Sequence, residues 1–228
     1  MDTVVQPAGK RLALLGASGH GKVVAETALC VGWEKVVFFD DAWPTAAYNG
    51  HWPVLGNGAM LLERLHEFDA VMVAIGNCQV RLRKQQELMA GGARMATIVH
   101  PRAWVSAHAT LGAGTVMMAG AVVNADARLG EACIINTGAT VDHDCELADG
   151  VHIAPGAHLS GSVSVGRGAW VGVGAVVRQG IAIGAGAMVG AGAVVVRPVP
   201  EDTTVVGNPA MRLQRTSSSS IFQTTPNN

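Results

Sequence analysis

Hydrophobic residues recur at every sixth position through the second half of the chain. From Val105 to Val195, sixteen consecutive positions spaced by six are all aliphatic or Met. Four residues beyond each stands Ala, Cys, Thr, Val or Ile, from Ala109 to Val199, and Gly, Asn, Asp and Ser are frequent in between. A period of six fits neither the alternation of an amphipathic strand nor the 3.6-residue repeat of a helix. It fits one short strand followed by one turn.

Three such units predict a triangular coil of eighteen residues. The aliphatic residues would fill its interior and the small residues its corners, while Gly, Asn, Asp and Ser tolerate the tight turns. Successive coils then stack by parallel β pairing at roughly 4.8 Å. Sixteen units give about five coils, and Val99 with Ala103 extends the register one unit earlier. We therefore predict a parallel β-helix over residues 98–215.

The first part of the chain alternates apolar strands with helical stretches. The predicted strands are residues 11–15, 36–39 and 70–75, and the predicted helices are residues 23–31 and 81–89. This alternation is typical of a small βαβαβ sheet with a nucleotide-binding layout. The chain therefore divides into a Rossmann-like α/β domain (1–97), the β-helix (98–215) and a Ser- and Thr-rich tail (216–228) that we expect to be flexible.

A glycine-rich loop from Gly16 to Lys22 follows the first predicted strand and opens a helix. Free backbone N–H groups and the helix dipole favour an anion at such a place. The spacing resembles a phosphate-binding P-loop, but Val23 stands where Ser or Thr would hold Mg²⁺, and the full Gly-x-Gly-x-x-Gly of a dinucleotide site is absent. The loop therefore argues against an ATPase and against a dehydrogenase. The sequence is compatible both with a ligand-binding loop and with a purely structural turn.

Two acidic residues follow the second predicted strand. Asp40 and Asp41 stand at its carboxyl end, where parallel sheets commonly hold a ribose or a base. A solvated turn explains the same pair equally well. The sequence leaves both interpretations open.

The composition argues against nucleic-acid binding and against a membrane span. The formal net charge is −1 and no dense Lys/Arg run appears, so no nucleic-acid partner is indicated. Residues 180–196 are uncharged, but five are Gly and the stretch falls short of the roughly 20 residues that a spanning helix needs. The first residues lack the pattern of a signal peptide. We therefore expect a cytoplasmic protein.

His143 is the strongest candidate for chemistry within the repeat. It takes the third position of the unit that begins at Val141, which is not an interior position, so its ring should point outward. Asp142 and Asp144 flank it, and a carboxylate can fix the tautomer of an imidazole and raise its basicity. An exposed histidine at a turn with solvated neighbours is the alternative.

A metal-bearing β-helix, as in the γ-class carbonic anhydrases, would need three convergent histidine ligands. His143 and His152 are nine residues apart and His152 and His158 are six apart, which does not reproduce that arrangement. The four cysteines show no metal-ligand or redox spacing either. We predict no metal.

Several segments together resemble one enzyme family. They are residues 16–21, 39–41, 74–77, 136–139 leading to His143-Asp144-Cys145, and the ending at 206–210. Over residues 10–212 the chain is similar to the hexapeptide-repeat sugar O- and N-acetyltransferases, typified by bacterial sialic acid O-acetyltransferases and by N-acetyltransferases of nucleotide-linked 4-amino sugars. The resemblance implies a left-handed winding of the β-helix, acetyl-CoA as co-substrate and a homotrimer with active sites between subunits.

The same resemblance implies roles for individual residues. His143 corresponds to the general base and Asp144 to the acidic residue that raises its basicity, where relatives carry the longer Glu. The acetyl-CoA contacts fall on His152, Val173 and Ala191; the last two are eighteen residues apart, so they should stack one coil apart along a pantetheine arm. A backbone N–H, that of Gly161, would stabilise the oxyanion. The nucleotide-sugar contacts fall on Ser18, Gly19, His20, Asp40, Asp41, Gly76 and Asn77.

We therefore expect an enzyme that acetylates the 4-amino group of a UDP- or GDP-linked 4-amino-4,6-dideoxy sugar, such as GDP-perosamine, for surface-glycan biosynthesis. Transfer would be direct, without an acyl-enzyme. O-acetylation of a sialic acid or serogroup sugar is the alternative among enzymes. A non-catalytic protein that only binds a nucleotide-sugar or CoA is the alternative outside them, since a fold does not by itself fix a function.

Overall fold

The computed structural model describes residues 10–213, which form a small α/β domain followed by a long β-helix. The α/β domain also contains a short 3₁₀ turn at Leu65–Glu67. Its elements, in chain order, are β1 (Arg11–Leu15), α1 (Gly19–Cys30), β2 (Lys35–Phe39), β3 (Tyr48–Asn49), β4 (Trp52–Pro53), α2 (Gly58–Glu63), β5 (Ala70–Val73) and α3 (Cys78–Ala90).

β1 lies at the centre of a three-stranded parallel sheet, between β2 and β5. Apart from the first residues of β1 and β2, every residue of the three strands is buried. Strands of a parallel sheet that is covered on both faces are expected to be apolar throughout in this way. The strands agree with the predicted ones to within two residues at each end.

Both long helices begin earlier than the sequence predicts. α1 begins at Gly19, because the glycine loop leads directly into it; Gly21 has no room for a Cβ, since the Gly16 carbonyl and the Phe38 ring lie against it. Because Gly19 and Gly21 have low helix propensity, the sequence pattern does not predict this first turn of α1. α3 begins at Cys78, where the Asn77 side chain accepts a hydrogen bond from the Val80 N–H at 3.0 Å. The β3–β4 hairpin and α2 were not predicted.

The β-helix consists mainly of two-residue strands that begin every six residues. They are β6 (Ile98–Val99), β7 (Trp104–Val105), β8 (Thr110–Leu111), β9 (Val116–Met117), β10 (Val122–Val123), β11 (Arg128–Leu129), β12 (Ile134–Ile135), β13 (Thr140–Val141), β14 (Glu146–Leu147), β15 (His152–Ile153), β16 (His158–Leu159), β17 (Ser164–Val165), β18 (Trp170–Val171), β19 (Val176–Val177), β20 (Ala182–Ile183), β21 (Met188–Val189), β22 (Val194–Val195), β23 (Thr204–Val206) and β24 (Met211–Arg212).

Apart from β24, which pairs antiparallel with β23, these strands form three parallel walls of a triangular prism. From β6 to β22 paired residues are eighteen apart, as in the pair Val123 and Val141, so each coil is three hexapeptide units, as predicted. The chain passes from wall 1 to wall 2, to wall 3 and back. Wall 1 contains β6, β9, β12, β15, β18, β21 and β23; wall 2 contains β7, β10, β13, β16, β19 and β22; wall 3 contains β8, β11, β14, β17 and β20.

The prism interior is filled by the second residue of each two-residue strand. From Met117 to Val195 these residues are at most 4% exposed. Val105 and Leu111 are only half-buried, because no strand of their walls lies beyond them at that end. Small residues close the corners: Cys133 and Cys145 are fully buried there, and burial raises the pKa of the Cys133 thiol to about 12. Both thiols are packing groups at neutral pH.

α1 packs on the outer face of wall 1 near the start of the β-helix. The outward residues Val116 and Ile134 are 2% and 1% exposed, and they join Val24 and Ala28 of α1 in one apolar cluster. The two parts of the chain therefore share a core, and packing fixes how they sit relative to each other.

α3 runs along the corner between walls 3 and 1. Gln85 donates from Nε2 to the Ala113 carbonyl at 3.0 Å, and Leu82 lies directly against Gly150, two coils further on. The corner glycines Gly114 and Gly150 leave room for the helix, because a Cβ at either position would overlap Gln85 or Leu82.

The outer faces of walls 2 and 3 differ in polarity. Wall 2 presents Trp104, 64% exposed, and Val176, 39% exposed. Wall 3 presents charged residues, including Arg128 and Glu146 with Nη1 and Oε1 3.9 Å apart. Within residues 10–213 there is no helix whose length and apolarity would let it span a membrane.

Candidate active site

His143 lies in the turn between β13 and β14, at the corner between walls 2 and 3. Its side chain is 59% exposed, as its place in the repeat predicts. Nδ1 lies 2.7 Å from Oδ2 of Asp144, and the backbone N–H donates to Oδ1 of Asp142 at 2.8 Å. One coil earlier, Asn124 donates from Nδ2 to the same Asp142 oxygen at 2.8 Å. The His143 backbone is thus held by Asp142, which is itself bonded to Asn124 of the preceding coil, while the ring is held by Asp144.

The backbone of Asp144 makes this contact possible. Asp144 takes the second turn position with φ of 57°, a conformation that Gly takes in most of the other turns. Its short side chain reaches Nδ1 at hydrogen-bond distance, so an Asp at this position suffices for the contact. The hydrogen bond that the His143 ring donates to Asp144 is the main cause that raises the pKa of His143 above its ordinary value, with Asp142 adding a smaller contribution.

Gly161 lies against the imidazole of His143 one coil further on. No Cβ fits there, because it would overlap the ring. The Gly161 N–H makes no hydrogen bond with any described residue, whereas its carbonyl accepts from the Gly180 N–H at 3.0 Å. A free N–H beside an exposed imidazole is an arrangement that can serve an oxyanion.

The glycine loop of the α/β domain is held by Asp40. Its Oδ2 accepts from the Ala17 N–H at 2.6 Å and its Oδ1 from the Ala42 N–H at 2.9 Å, so both oxygens are engaged by backbone. Asp41 uses Oδ1 on the Gly58 N–H at 3.0 Å and is otherwise exposed. Within residues 10–213 its Oδ2 has no hydrogen-bond partner.

Ser18 and Gly19 are exposed residues of this loop. Ser18 precedes α1 in an extended conformation, yet its hydroxyl does not cap the helix. The carbonyl of Ser18 accepts from Nδ2 of the buried Asn49 at 3.1 Å. The loop is therefore fixed through its backbone, and the Ser18 hydroxyl remains available.

His20 and His152 face each other where α1 meets wall 1. Their ring centroids are 6.3 Å apart, and His152 stacks on Trp170 at 5.2 Å with an interplanar angle of 2°. Asn136 Nδ2 lies 3.2 Å from Nε2 of His152. Burial, reinforced by the charge of Arg81, lowers the pKa of His20 to about 4 and that of His152 to about 3. Both rings are neutral at pH 7.

The burial of His20 and His152 limits which of the predicted ligand contacts their rings can make. Nε2 of His20 is buried without a hydrogen bond to any described residue, which is costly unless a ligand serves it. His152 is only 6% exposed, so its ring offers little surface to acetyl-CoA. Val173, 53% exposed, and Ala191, also exposed, lie one above the other at the corner between walls 1 and 2, with the Gly192 N–H donating to the Val173 carbonyl at 2.8 Å.

Gly76 and Asn77 form the link from β5 to α3, and Arg81 fastens it. The guanidinium of Arg81 is buried and donates to the carbonyls of Ile75 and Gly76. Sequence analysis missed Arg81, because a single Arg in a polar helix looks like a solvated residue. It also missed Trp170, although the spacing of eighteen from His152 could have indicated the stack.

The predicted residues thus fall on two corners and one wall of a single chain. The loop residues, Gly76 and His152 lie together beside wall 1, whereas His143 and Gly161 lie at the corner between walls 2 and 3. Val173 and Ala191 lie at the corner between walls 1 and 2. Across residues 10–213, no group of three or more His, Cys, Asp and Glu is arranged to hold a metal ion.

Comparison with known proteins matches both parts of the chain. Residues 11–88 match the family model described as the PglD N-terminal domain. The acetyltransferase domain of PglB from Neisseria gonorrhoeae FA1090, solved with acetyl coenzyme A, is 44% identical, with 90% of this chain and 99% of that one covered and a TM-score of 0.86. PerB from Caulobacter crescentus, solved with CoA and GDP-perosamine, is 38% identical, with 91% and 99% covered and a TM-score of 0.85.

A curated relative agrees with these structures. UDP-N-acetylbacillosamine N-acetyltransferase of Bacillus subtilis (strain 168) is 41% identical over 112 residues, which are 48% of this chain and 52% of that protein. The chain therefore spans about half the length of that relative. Fold and relatives define a hexapeptide-repeat sugar acetyltransferase, a left-handed β-helix preceded by a Rossmann-like domain. The chain belongs to the branch of that enzyme family formed by the N-acetyltransferases of nucleotide-linked 4-amino sugars.

Proposed function

We propose that this protein transfers the acetyl group of acetyl-CoA to the 4-amino group of a nucleotide-linked 4-amino-4,6-dideoxy sugar. The observation that carries the proposal is the pair of His143 and Asp144, with Nδ1 and Oδ2 2.7 Å apart on an exposed corner. An imidazole that donates from Nδ1 to a carboxylate presents the lone pair of Nε2 to the outside, as a general base requires. The raised pKa of His143 strengthens that base.

The chemistry follows from this geometry. The 4-amino nitrogen attacks the thioester carbonyl while Nε2 of His143 takes one of its protons. The Gly161 N–H, which has no hydrogen-bond partner among residues 10–213, donates to the oxygen that becomes negative. The C–S bond then breaks, the new amide remains on the sugar, and the proton on His143 passes to the departing CoA thiolate. No acyl-enzyme forms.

The nucleotide-sugar would lie against the α/β domain. Ser18, Gly19 and His20 offer a free hydroxyl, an exposed backbone and a buried ring nitrogen without a partner. Asp41 has one free oxygen, whereas Asp40 serves the site by shaping the loop, because backbone N–H groups occupy both its oxygens. Gly76 and Asn77 complete the set. GDP and UDP both suit these contacts.

Acetyl-CoA would lie along Val173 and Ala191, whose stacked corner positions suit an extended pantetheine arm. The PglB domain is solved with acetyl coenzyme A and PerB with CoA. Acetyl-CoA would have to pass Trp170, which stacks on the buried ring of His152, to contact that ring.

A second copy of the chain would complete the site, because wall 2 separates His143 from Val173. The outer face of wall 2, on which Trp104 and Val176 are exposed, supports packing of copies against one another. We propose a homotrimer, with His143 of one copy meeting the sugar loop and pantetheine corner of others. Light scattering that gives the mass of three chains is the expected result, and a monomer active at all dilutions would contradict it. A cytoplasmic role in surface-glycan biosynthesis stays a prediction.

The decisive experiment on function compares the wild-type protein with His143→Ala. With acetyl-CoA and a nucleotide-linked 4-amino sugar, wild type should release free CoA thiol, while the variant loses about 10²–10⁴-fold in kcat with unchanged acetyl-CoA affinity. Unchanged turnover in the variant would remove His143 as the base. Wild type that binds both ligands without releasing thiol would favour the non-catalytic alternative.

The carrier and acceptor can be resolved separately. A thermal-shift screen of UDP, GDP, CMP and their amino-sugars should show stabilisation by the true carrier alone, because a ligand that binds only the folded state raises its stability by mass action. Stabilisation by CMP-linked sialic acid, together with acetylation of a hydroxyl, would support O-acetyl transfer instead.

A further inference from the structure

Arg81 is a buried cation that joins the two parts of the chain through backbone carbonyls alone. Its guanidinium is 1% exposed. Nη1 donates to the carbonyls of Ile75 and Gly76 at 2.8 and 2.9 Å. Nε donates to the Ala132 carbonyl at 2.8 Å and Nη2 to the Gly150 carbonyl at 2.8 Å, at the same corner of the β-helix in two successive coils. One side chain therefore ties the β5–α3 link to two coils of the prism.

The charge of Arg81 has no carboxylate partner among the described residues. A buried cation is costly unless its N–H groups are satisfied, and here four carbonyls accept from four of its five N–H groups. A Lys at this place carries the same charge but lacks the planar fork that reaches several acceptors at once. The geometry of the fork, rather than an ion pair, is what the site requires.

This arrangement orients two peptide groups. In a planar trans peptide the N–H points opposite to the C=O. The carbonyls of Ile75 and Gly76 both point at Nη1, so the N–H groups of Gly76 and Asn77, which belong to the same two peptides, point away from Arg81. Neither N–H donates to a described residue, and Asn77 is exposed.

We propose that Arg81 is a positioning residue for the nucleotide-sugar: it holds the Gly76 and Asn77 N–H groups ready to bind an oxygen of that substrate. The inference rests on the proposed function in taking the substrate to be a nucleotide-sugar. It assigns to Arg81 no contact with the substrate, since its donors are engaged by protein carbonyls. Arg81 acts on binding through the two peptides that it orients, and it ties them to the β-helix of the same chain.

The test compares Arg81→Lys with Gln85→Met, one helical turn along α3. Gln85 is also buried and also ties α3 to the β-helix, through the Ala113 carbonyl, but it does not contact the β5–α3 link. With the 4-amino nucleotide-sugar that wild type acetylates, we expect Arg81→Lys to raise the KM for the sugar about 10-fold or more and to leave the KM for acetyl-CoA unchanged. Gln85→Met should lower the melting temperature and change neither KM.

Two results would overturn the inference. Arg81→Lys with a normal sugar KM would remove the positioning role, and equal increases in both KM values would reduce Arg81 to a general structural tie. Wild type that acetylates no nucleotide-sugar contradicts the proposed function instead, so the two failures are distinct.

Hydrogen exchange on the wild-type protein provides a test that needs no variant. Added GDP-perosamine, or the UDP-linked 4-amino sugar if that is the carrier, should slow exchange of the Gly76 and Asn77 amides. Unchanged exchange at both amides under saturating sugar would overturn the inference even if Arg81→Lys fails to fold.

Discussion

Acid is expected to destabilise the protein through His152, which is buried between the α/β domain and wall 1. Burial lowers its pKa to about 3, with the nearby Arg81 charge acting in the same direction. The unfolded chain has an ordinary histidine pKa of about 6.5. Between these two pKa values, His152 is protonated in the unfolded state and neutral in the folded state. The stability due to neutral His152 is therefore complete above about pH 6.5 and is lost as the pH falls toward 3.

The size of the effect follows from the two pKa values. One pKa unit corresponds to about 1.36 kcal/mol, so at about pH 5, roughly 1.5 units below the unfolded pKa, His152 costs about 2 kcal/mol of folding free energy. The side chain is 6% exposed, so solvent screening reduces this figure little. Such a loss is a sizeable part of the roughly 5–15 kcal/mol that stabilises a typical domain.

Urea unfolding followed by circular dichroism, at several pH values from about 7.5 to 5, measures this dependence. His152→Gln removes the titrating group, and wild type should lose about 2 kcal/mol more than this variant on acidification. Trp170→Leu gives a second comparison: it keeps the titrating ring of His152 but removes the ring stacked on it, so it should be less stable at pH 7.5 and lose less stability on acidification than wild type. A His152→Gln slope equal to that of wild type would refute the reasoning.

Three further substitutions test other contacts. Asp144→Asn should move the acid limb of the kcat/KM profile to lower pH, because the hydrogen bond that chiefly raises the pKa of His143 is weakened and the base acts when neutral; an unmoved limb contradicts this. Gly161→Ala should reduce kcat by about 10-fold or more through displacement of His143, with an unchanged circular dichroism spectrum; normal turnover argues against the contact. Gly150→Ala should destabilise by about 1–3 kcal/mol more than Gly174→Ala in urea unfolding, because both have φ near 65° but only Gly150 abuts Leu82; equal losses would contradict the docking of α3.

The β-helix could be predicted from the sequence because its packing pattern repeats in every hexapeptide. Each hexapeptide contributes one inward residue, and an unbroken register leaves no choice about which residues are buried. The outward direction of His143 followed from its place relative to Val141, and the structure confirms it. The α/β sheet was likewise visible in its apolar strands, since both faces are covered.

The rest depends on contacts between distant segments. Arg81 binds carbonyls 51 and 69 residues away, which no periodicity reveals. The Asp40 carboxylate is engaged by the backbone of its own loop and of Ala17, so a motif-based expectation of ligand contact could not foresee it. The start of α1 at Gly19 is set by tight packing at Gly21 rather than by helix propensity.

The central claim, acetyl transfer to an amine, is tested most directly by the product. Purified protein is incubated with acetyl-CoA and an equimolar mixture of a 4-amino nucleotide-sugar and its 4-hydroxy counterpart, in both UDP- and GDP-linked forms. Mass spectrometry then identifies the acetylated species while free CoA thiol is counted. The account predicts an N-acetylated 4-amino sugar on one carrier in equal amount to the CoA released. Acetylation of the hydroxy sugar, or no CoA release from protein that binds both substrates, would contradict it.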